Sequence, residues 1–125
     1  MMHILLVALG GACGSVLRYL VGLFTIRWLG PNFPWGTITV NILGSLMIGL
    51  FAELVLRKFN ASADMRVLIV TGFLGGFTTF SAFSLDFISL VERGAFASAA
   101  AYMIFSIVLS VAAVFAGLTI GRIIF

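Results

Sequence analysis

The stretch Thr71-Gly72-Phe73-Leu74-Gly75-Gly76-Phe77-Thr78-Thr79-Phe80-Ser81-Ala82-Phe83-Ser84 holds the residue types most able to do chemistry in this chain. Two adjacent glycines followed by two threonines make a poor helix interior: glycine costs about 1 kcal/mol there, and threonine hydroxyls compete for backbone hydrogen bonds. A helix interrupted at that point leaves unpaired carbonyls at the end of one half and unpaired amides at the start of the next. Carbonyls hold cations, and amide ends favour anions. Phe80 and Phe83, three apart, share one face just after the interruption. A phenyl ring has a positive edge, so two rings presenting edges could polarise a small anion without a fixed charge, although phenylalanine in a membrane helix usually just packs and composition alone favours that reading.

The other polar groups are few and widely spaced. Arg18 follows Gly10, Gly11 and Gly14, and the Gly10/Gly14 spacing lets another backbone approach closely. Its guanidinium could line an anion vestibule or reach back to lipid headgroups. Asn41, with Thr37 one turn earlier on the same face, offers donors and acceptors, so it could bind an anion or tie two helices together. Tyr102, Ser106 and Ser110 recur every fourth residue and draw a hydroxyl stripe, with Ala113, Gly117 and Gly121 continuing as a close-packing surface. Glu53 stands one turn from Arg57, the spacing of an interfacial ion pair. Cys13 is alone, which excludes an internal disulfide and a multi-cysteine metal site and leaves a small packing residue. His3 sits at the terminus, in a structural or incidental role.

Membrane helices must carry these groups. Of 125 residues, 62% are hydrophobic and only 9% charged, with a mean hydropathy of +1.27, whereas ordinary domains carry roughly 25% charge. That excludes a cytosolic enzyme, a nucleic-acid-binding module and a disordered chain. The sequence pI near 9.8 comes from isolated basic residues, with no stripe longer than Arg57-Lys58, so it reads as membrane-interface anchoring rather than as a polyanion partner. The apolar N-terminal run lacks the positive leader and cleavage site of a signal peptide and is expected to remain.

Each crossing of a roughly 30 Å hydrocarbon core takes about 20 residues, and four crossings fit. They are expected at about residues 4–24, 37–56, 67–91 and 96–120, the third broken near its centre, all within one transmembrane domain, 1–125. Arg27, Trp28, Pro31, Pro34 and Trp35 mark the first turn. The triplet Asn60-Ala61-Ser62 fits a glycosylation sequon, but so short a match arises by chance and carries no weight. Four spans put both termini and the 57–66 loop on one side, with Arg57, Lys58, Arg66 and Arg122 against Arg27 and Arg93 opposite. So small an excess specifies orientation weakly and would permit an antiparallel homodimer.

Three segments together carry a family resemblance: Gly10-Gly11-Ala12-Cys13-Gly14-Ser15-Val16-Leu17-Arg18-Tyr19, Gly36-Thr37-Ile38-Thr39-Val40-Asn41-Ile42-Leu43-Gly44 and Gly72 through Ser84. In order and spacing the chain resembles the CrcB, or Fluc, family of fluoride channels along its whole length. The resemblance implies an all-α antiparallel dual-topology homodimer in the bacterial inner membrane, with two fluoride pathways and a structural sodium ion on the central two-fold axis. By match to the family's motif, the backbone carbonyls of Gly75 and Thr78 from each subunit would hold that sodium. Phe80 and Phe83 match the paired pore aromatics, Asn41 the pore asparagine, Arg18 the first-span arginine, and Thr79 and Ser81 the hydroxyl-bearing stretch. Tyr102, Ser106 and Ser110 match polar fourth-span positions, and Asp86 stands where relatives often have glutamate.

What the family implies is passive export. Fluoride enters cells as neutral HF from acidic surroundings, ionises, is trapped, and then leaks out through the channel down the membrane potential. Fluoride is small and strongly hydrated, so a selective pore must replace its water with closely placed donors, at several weak sites that allow exit as well as entry. The alternative is a small proton-coupled multidrug exporter, also a four-span dual-topology dimer. That mechanism needs a carboxylate in the first span, where residues 4–24 offer only Cys13, Arg18 and Tyr19 as ionisable groups. A non-transporting assembly subunit would have little use for a double-glycine interruption, and no nucleophile, base and orienting group cluster as an enzyme would require.

Overall fold

The structure is a computed structural model that describes residues 1–60 and 62–125. Ala61, the middle of the Asn60-Ala61-Ser62 triplet, lies outside the described residues. Among the described residues four helical segments are long and apolar enough to cross a membrane: Met2–Leu29, Trp35–Lys58, Ala63–Glu92 and Phe96–Ile124. The first two are the continuous helices α1 (Met2–Leu29) and α2 (Trp35–Lys58). The third comprises α3 (Ala63–Arg66), a π-helical stretch Val67–Leu74, α4 (Gly75–Phe77) and α5 (Phe80–Glu92), and the last is α6 (Phe96–Ile124). Among the described residues there is no strand.

The helices outrun the expected spans. The hydropathy of 4–24 finds only the hydrocarbon-depth portion of α1, whose 28 residues make a rod about 42 Å long at 1.5 Å per residue. That matches the bilayer with its headgroup layers, through which backbone hydrogen bonding continues. α1 stops at Gly30, whose φ of 85° suits glycine, followed by Pro31 and Pro34. The π-helical stretch carries no signal in the sequence.

Two seams without side chains hold the bundle together. α1 lies along the first half of the third span. A Cβ on Gly10 would collide with the Leu68 carbonyl, one on Gly14 with the Phe73 carbonyl, and one on Gly76 would sit 2.6 Å from the Gly11 carbonyl oxygen. α2 pairs with α6, where a Cβ on Gly49 would strike the Val114 carbonyl and one on Gly117 the Leu46 carbonyl. Lipid tails are as apolar as leucine, so contact at this range rather than hydrophobic burial drives such helices together.

Polar links close the ends. The buried Glu53 carboxylate accepts from Arg57 Nε at 2.9 Å, the expected pair, and also from Arg122 Nε at 3.1 Å, which pins α2 to α6. On the same side His3 Nε2 lies 2.9 Å from Asp64 Oδ1, so the terminal histidine links α1 to α3. On the opposite side Arg93 Nη2 donates to the Asn32 carbonyl at 2.7 Å.

Candidate functional site at the interrupted helix

The third span is interrupted at Thr78 (φ −89°, ψ 159°) and Thr79 (φ −156°, ψ 121°), both extended. Gly75 and Gly76 remain helical. The weak point therefore falls just after the double glycine, for two physical reasons. β-Branched threonine suits extended backbone, and Gly76 is needed bare where α1 crosses it. Thr78 closes the first half, its amide and its hydroxyl both donating to the Leu74 carbonyl at 2.9 and 2.8 Å. Thr79 opens the second half as N-cap, its Oγ1 accepting from the Ala82 amide at 3.1 Å.

Side chains from the neighbouring helices replace the lost ladder. Asn41 Oδ1 accepts from the Thr79 amide at 2.8 Å while its Nδ2 donates to the Thr79 carbonyl at 2.9 Å, as a paired strand would. Of the two roles open to Asn41, this geometry is the helix tie, and one Nδ2 hydrogen remains outside that pairing. Arg18 Nε donates to the Gly76 carbonyl at 3.0 Å, so its guanidinium turns to the interruption rather than to headgroups. The carbonyls of Gly75 and Thr78 accept no hydrogen bond among the described residues.

Two cavities meet at Thr79. An inner cavity of about 490 Å³ is lined by Asn41, Ser45, Gly75, Thr78, Thr79, Phe80, Phe83, Ser106 and Ser110, among others. A vestibule of about 620 Å³ is lined by Ser15, Arg18, Tyr19, Thr37, Thr79, Asp86, Ser89 and Arg93, among others. In the inner cavity Phe83 is buried and Phe80 is 78% exposed, with ring centroids 5.6 Å apart and tilted by 45°. The Ser106 hydroxyl is buried there with no hydrogen-bond partner among the described residues.

Two of the expected pathway residues line neither cavity. Tyr102 is fully buried; its hydroxyl donates to Asp86 Oδ2 at 3.1 Å, and its ring lies 5.1 Å from Phe83 and edge-on to Phe33 at 5.5 Å. The stripe Tyr102, Ser106, Ser110 thus divides after its first member. Ser81 is exposed, with its hydroxyl 3.3 Å from that of Thr79. Ser45 in the inner cavity and Ser89 in the vestibule are lining residues that sequence reasoning passed over, although the place of Ser45 one turn after Asn41 was a usable signal. The Asp86–Tyr102 and Glu53–Arg122 links join distant positions and had none.

The family model described as CrcB-like protein, Camphor Resistance (CrcB), matches residues 5–118. This chain belongs to the CrcB family. Among its CrcB relatives, a protein of Agrobacterium fabrum named fluoride-specific ion channel FluC is 62% identical over the whole length of both chains. Proteins of the same name from Rhizobium etli and Nitrobacter winogradskyi are 63% identical over 98% of each chain and 57% identical over 97% of this chain and 96% of the relative. With four spanning helices and these bacterial relatives, the CrcB chain is a multi-pass bacterial membrane protein and not an enzyme.

Proposed function

We propose that this protein is a fluoride channel that lets cytoplasmic fluoride leave the cell passively. The observation that carries the reading is the inner cavity, where the two phenylalanines, the spare Asn41 hydrogen and the unpartnered Ser106 hydroxyl meet beside an interrupted helix. These are uncharged donors at hydrocarbon depth, suited to strip water from a small anion without holding it. The vestibule guanidiniums of Arg18 and Arg93 draw anions toward Thr79, the residue that both cavities share. Fluoride then passes from one weak site to the next. The exporter alternative has no carboxylate anywhere in α1 to carry its proton.

The working unit of this proposal is an antiparallel homodimer with two pores. The weak charge asymmetry of the loops supports it, as does Phe80, a large ring left 78% exposed beside the interruption, where a second subunit would cover it. A sodium ion fits the Gly75 and Thr78 carbonyls, whose lone pairs are unclaimed among the described residues and whose neutral oxygens suit a hard monovalent cation. When bound, the ion supplies positive charge that ties the two interrupted helices together. Passive efflux from liposomes, read with a fluoride electrode and repeated with chloride, tests the reading. Rapid fluoride loss with little chloride loss is expected, and a folded, sodium-supplied dimer that releases no fluoride would overturn it.

A further inference from the structure

Asp86 and Phe83 lie one turn apart on α5 but face different spaces: Asp86 lines the vestibule and Phe83 lines the inner cavity. Tyr102 of α6 packs against both residues, lines neither space and is wholly buried. It is held at both ends by α5, its hydroxyl donating to Asp86 Oδ2 at 3.1 Å and its ring packed 5.1 Å from that of Phe83. Phe33 closes a third side edge-on at 5.5 Å. A buried phenol hydroxyl needs an acceptor, and a ring clamped at its hydroxyl and its face has little freedom left to turn.

We propose that Asp86 is a positioning residue for ion passage: through the Tyr102 hydroxyl it fixes the wall against which the Phe83 ring is set. This rests on the fluoride-channel reading and adds a residue to it. The carboxylate acts as a hydrogen-bond acceptor and not as a vestibule charge. The same bond commits the Tyr102 hydroxyl to Asp86 and withholds it from the inner cavity, where Ser106 and Ser110 remain as the α6 hydroxyls that can face an ion.

The two roles for Asp86 separate cleanly in four variants assayed for fluoride efflux per folded protein in liposomes. Asp86→Asn keeps an acceptor and removes the charge; Asp86→Ala removes both; Tyr102→Phe removes the donor; Asp86→Ala with Tyr102→Phe removes the bond from both ends. Positioning predicts that Asp86→Asn stays within about twofold of the unaltered protein. Asp86→Ala and Tyr102→Phe each slow efflux about threefold to tenfold, the range one hydrogen bond commands, and the double variant is no slower than the slower single. Equal behaviour of Asp86→Asn and Asp86→Ala would overturn the proposal, as would full efflux in Tyr102→Phe or losses that simply multiply in the double variant.

A readout without flux keeps this test apart from the channel reading. The Tyr102 hydroxyl proton, followed by NMR in tyrosine-labelled protein, is expected to exchange slowly in the unaltered protein and in Asp86→Asn, and rapidly in Asp86→Ala. Slow exchange retained in Asp86→Ala would sink the inference even if efflux fell as expected. No efflux from the unaltered protein together with the expected exchange pattern would count against the channel reading and against the transport role of Asp86 while leaving the bond in place.

Discussion

The glycine seams and the threonine interruption solve opposite problems within about the same depth of membrane. At Gly10, Gly14 and Gly76 the chain has removed side chains so that backbone meets backbone. At Thr78 and Thr79 backbone has lost its own partners, and side chains from α1 and α2 have been brought in to replace them. The seams are bare backbone in close contact. The interruption must find partners for the groups it frees, because lipid offers none; Asn41 and Arg18 supply some of them, and the carbonyls left over are those that can hold an ion. Close seams and a polar gap belong to one arrangement: Gly76, bare where α1 crosses it, stands two residues before Thr78.

The harshest way to break that pairing is at a seam. In Gly14→Val a side chain would meet the Phe73 carbonyl and the Phe77 amide, backbone atoms that cannot turn aside. The expected loss is on the order of 3 kcal/mol or more, seen as a collapse of monodisperse protein in detergent. Asn41→Ala comes next. It unpairs both the amide and the carbonyl of Thr79 at once, with an expected loss of about 2–6 kcal/mol at roughly 1–3 per orphaned group, measurable as a fall in melting temperature, and efflux is expected to stop. A stable, fully conducting Asn41→Ala protein would mean that Thr79 finds other partners.

The seams were legible in the sequence because close approach leaves a composition signal: Gly10 with Gly14, and Gly117 with Gly121, stand at the spacing a helix face requires. The presence of the interruption was equally legible, but its position was not. Glycine is the poorest helix former in the motif, yet Gly75 and Gly76 stay helical, because propensity is local and the need of α1 for a bare surface at Gly76 is not. Asn41 could be singled out as an amide at membrane depth, while the choice between anion donor and helix tie depended on where Thr79 would lie. Tyr102 shows the same limit: its spacing puts it in the stripe with Ser106, and only the placement of Asp86 on another helix draws its hydroxyl away. The family motifs named the neighbourhood, and cross-helix geometry assigned the partners within it.

A milder change tests the gap while leaving the seams alone. Phe80→Ile and Phe83→Ile keep apolar bulk and remove the positive ring edge, so efflux is expected to fall about twofold to tenfold in each, at roughly 0.5–1.5 kcal/mol for an aromatic interaction lost, with the assembled protein still formed. The buried Phe83 should also lose some stability, whereas the exposed Phe80 should not within a single subunit. Unchanged efflux in both would remove the ring-edge argument.

Ser106→Ala is the smallest change and the sharpest test, because here stability and transport should move in opposite directions. A buried hydroxyl without a partner is a cost to the folded state, so its removal is expected to be neutral or to stabilise by up to about 1 kcal/mol. If the hydroxyl faces the ion, the same removal slows efflux, by about twofold to tenfold for one donor lost among several. Melting temperature and efflux measured on the same preparation separate the cases. A fall in both would mean that Ser106 bonds back to its own helix, as membrane serines often do, and would make it a packing residue like the seam glycines. A steady melting temperature with slower efflux would mark it as a group kept for the ion at the expense of the fold, the reverse of what every seam position does.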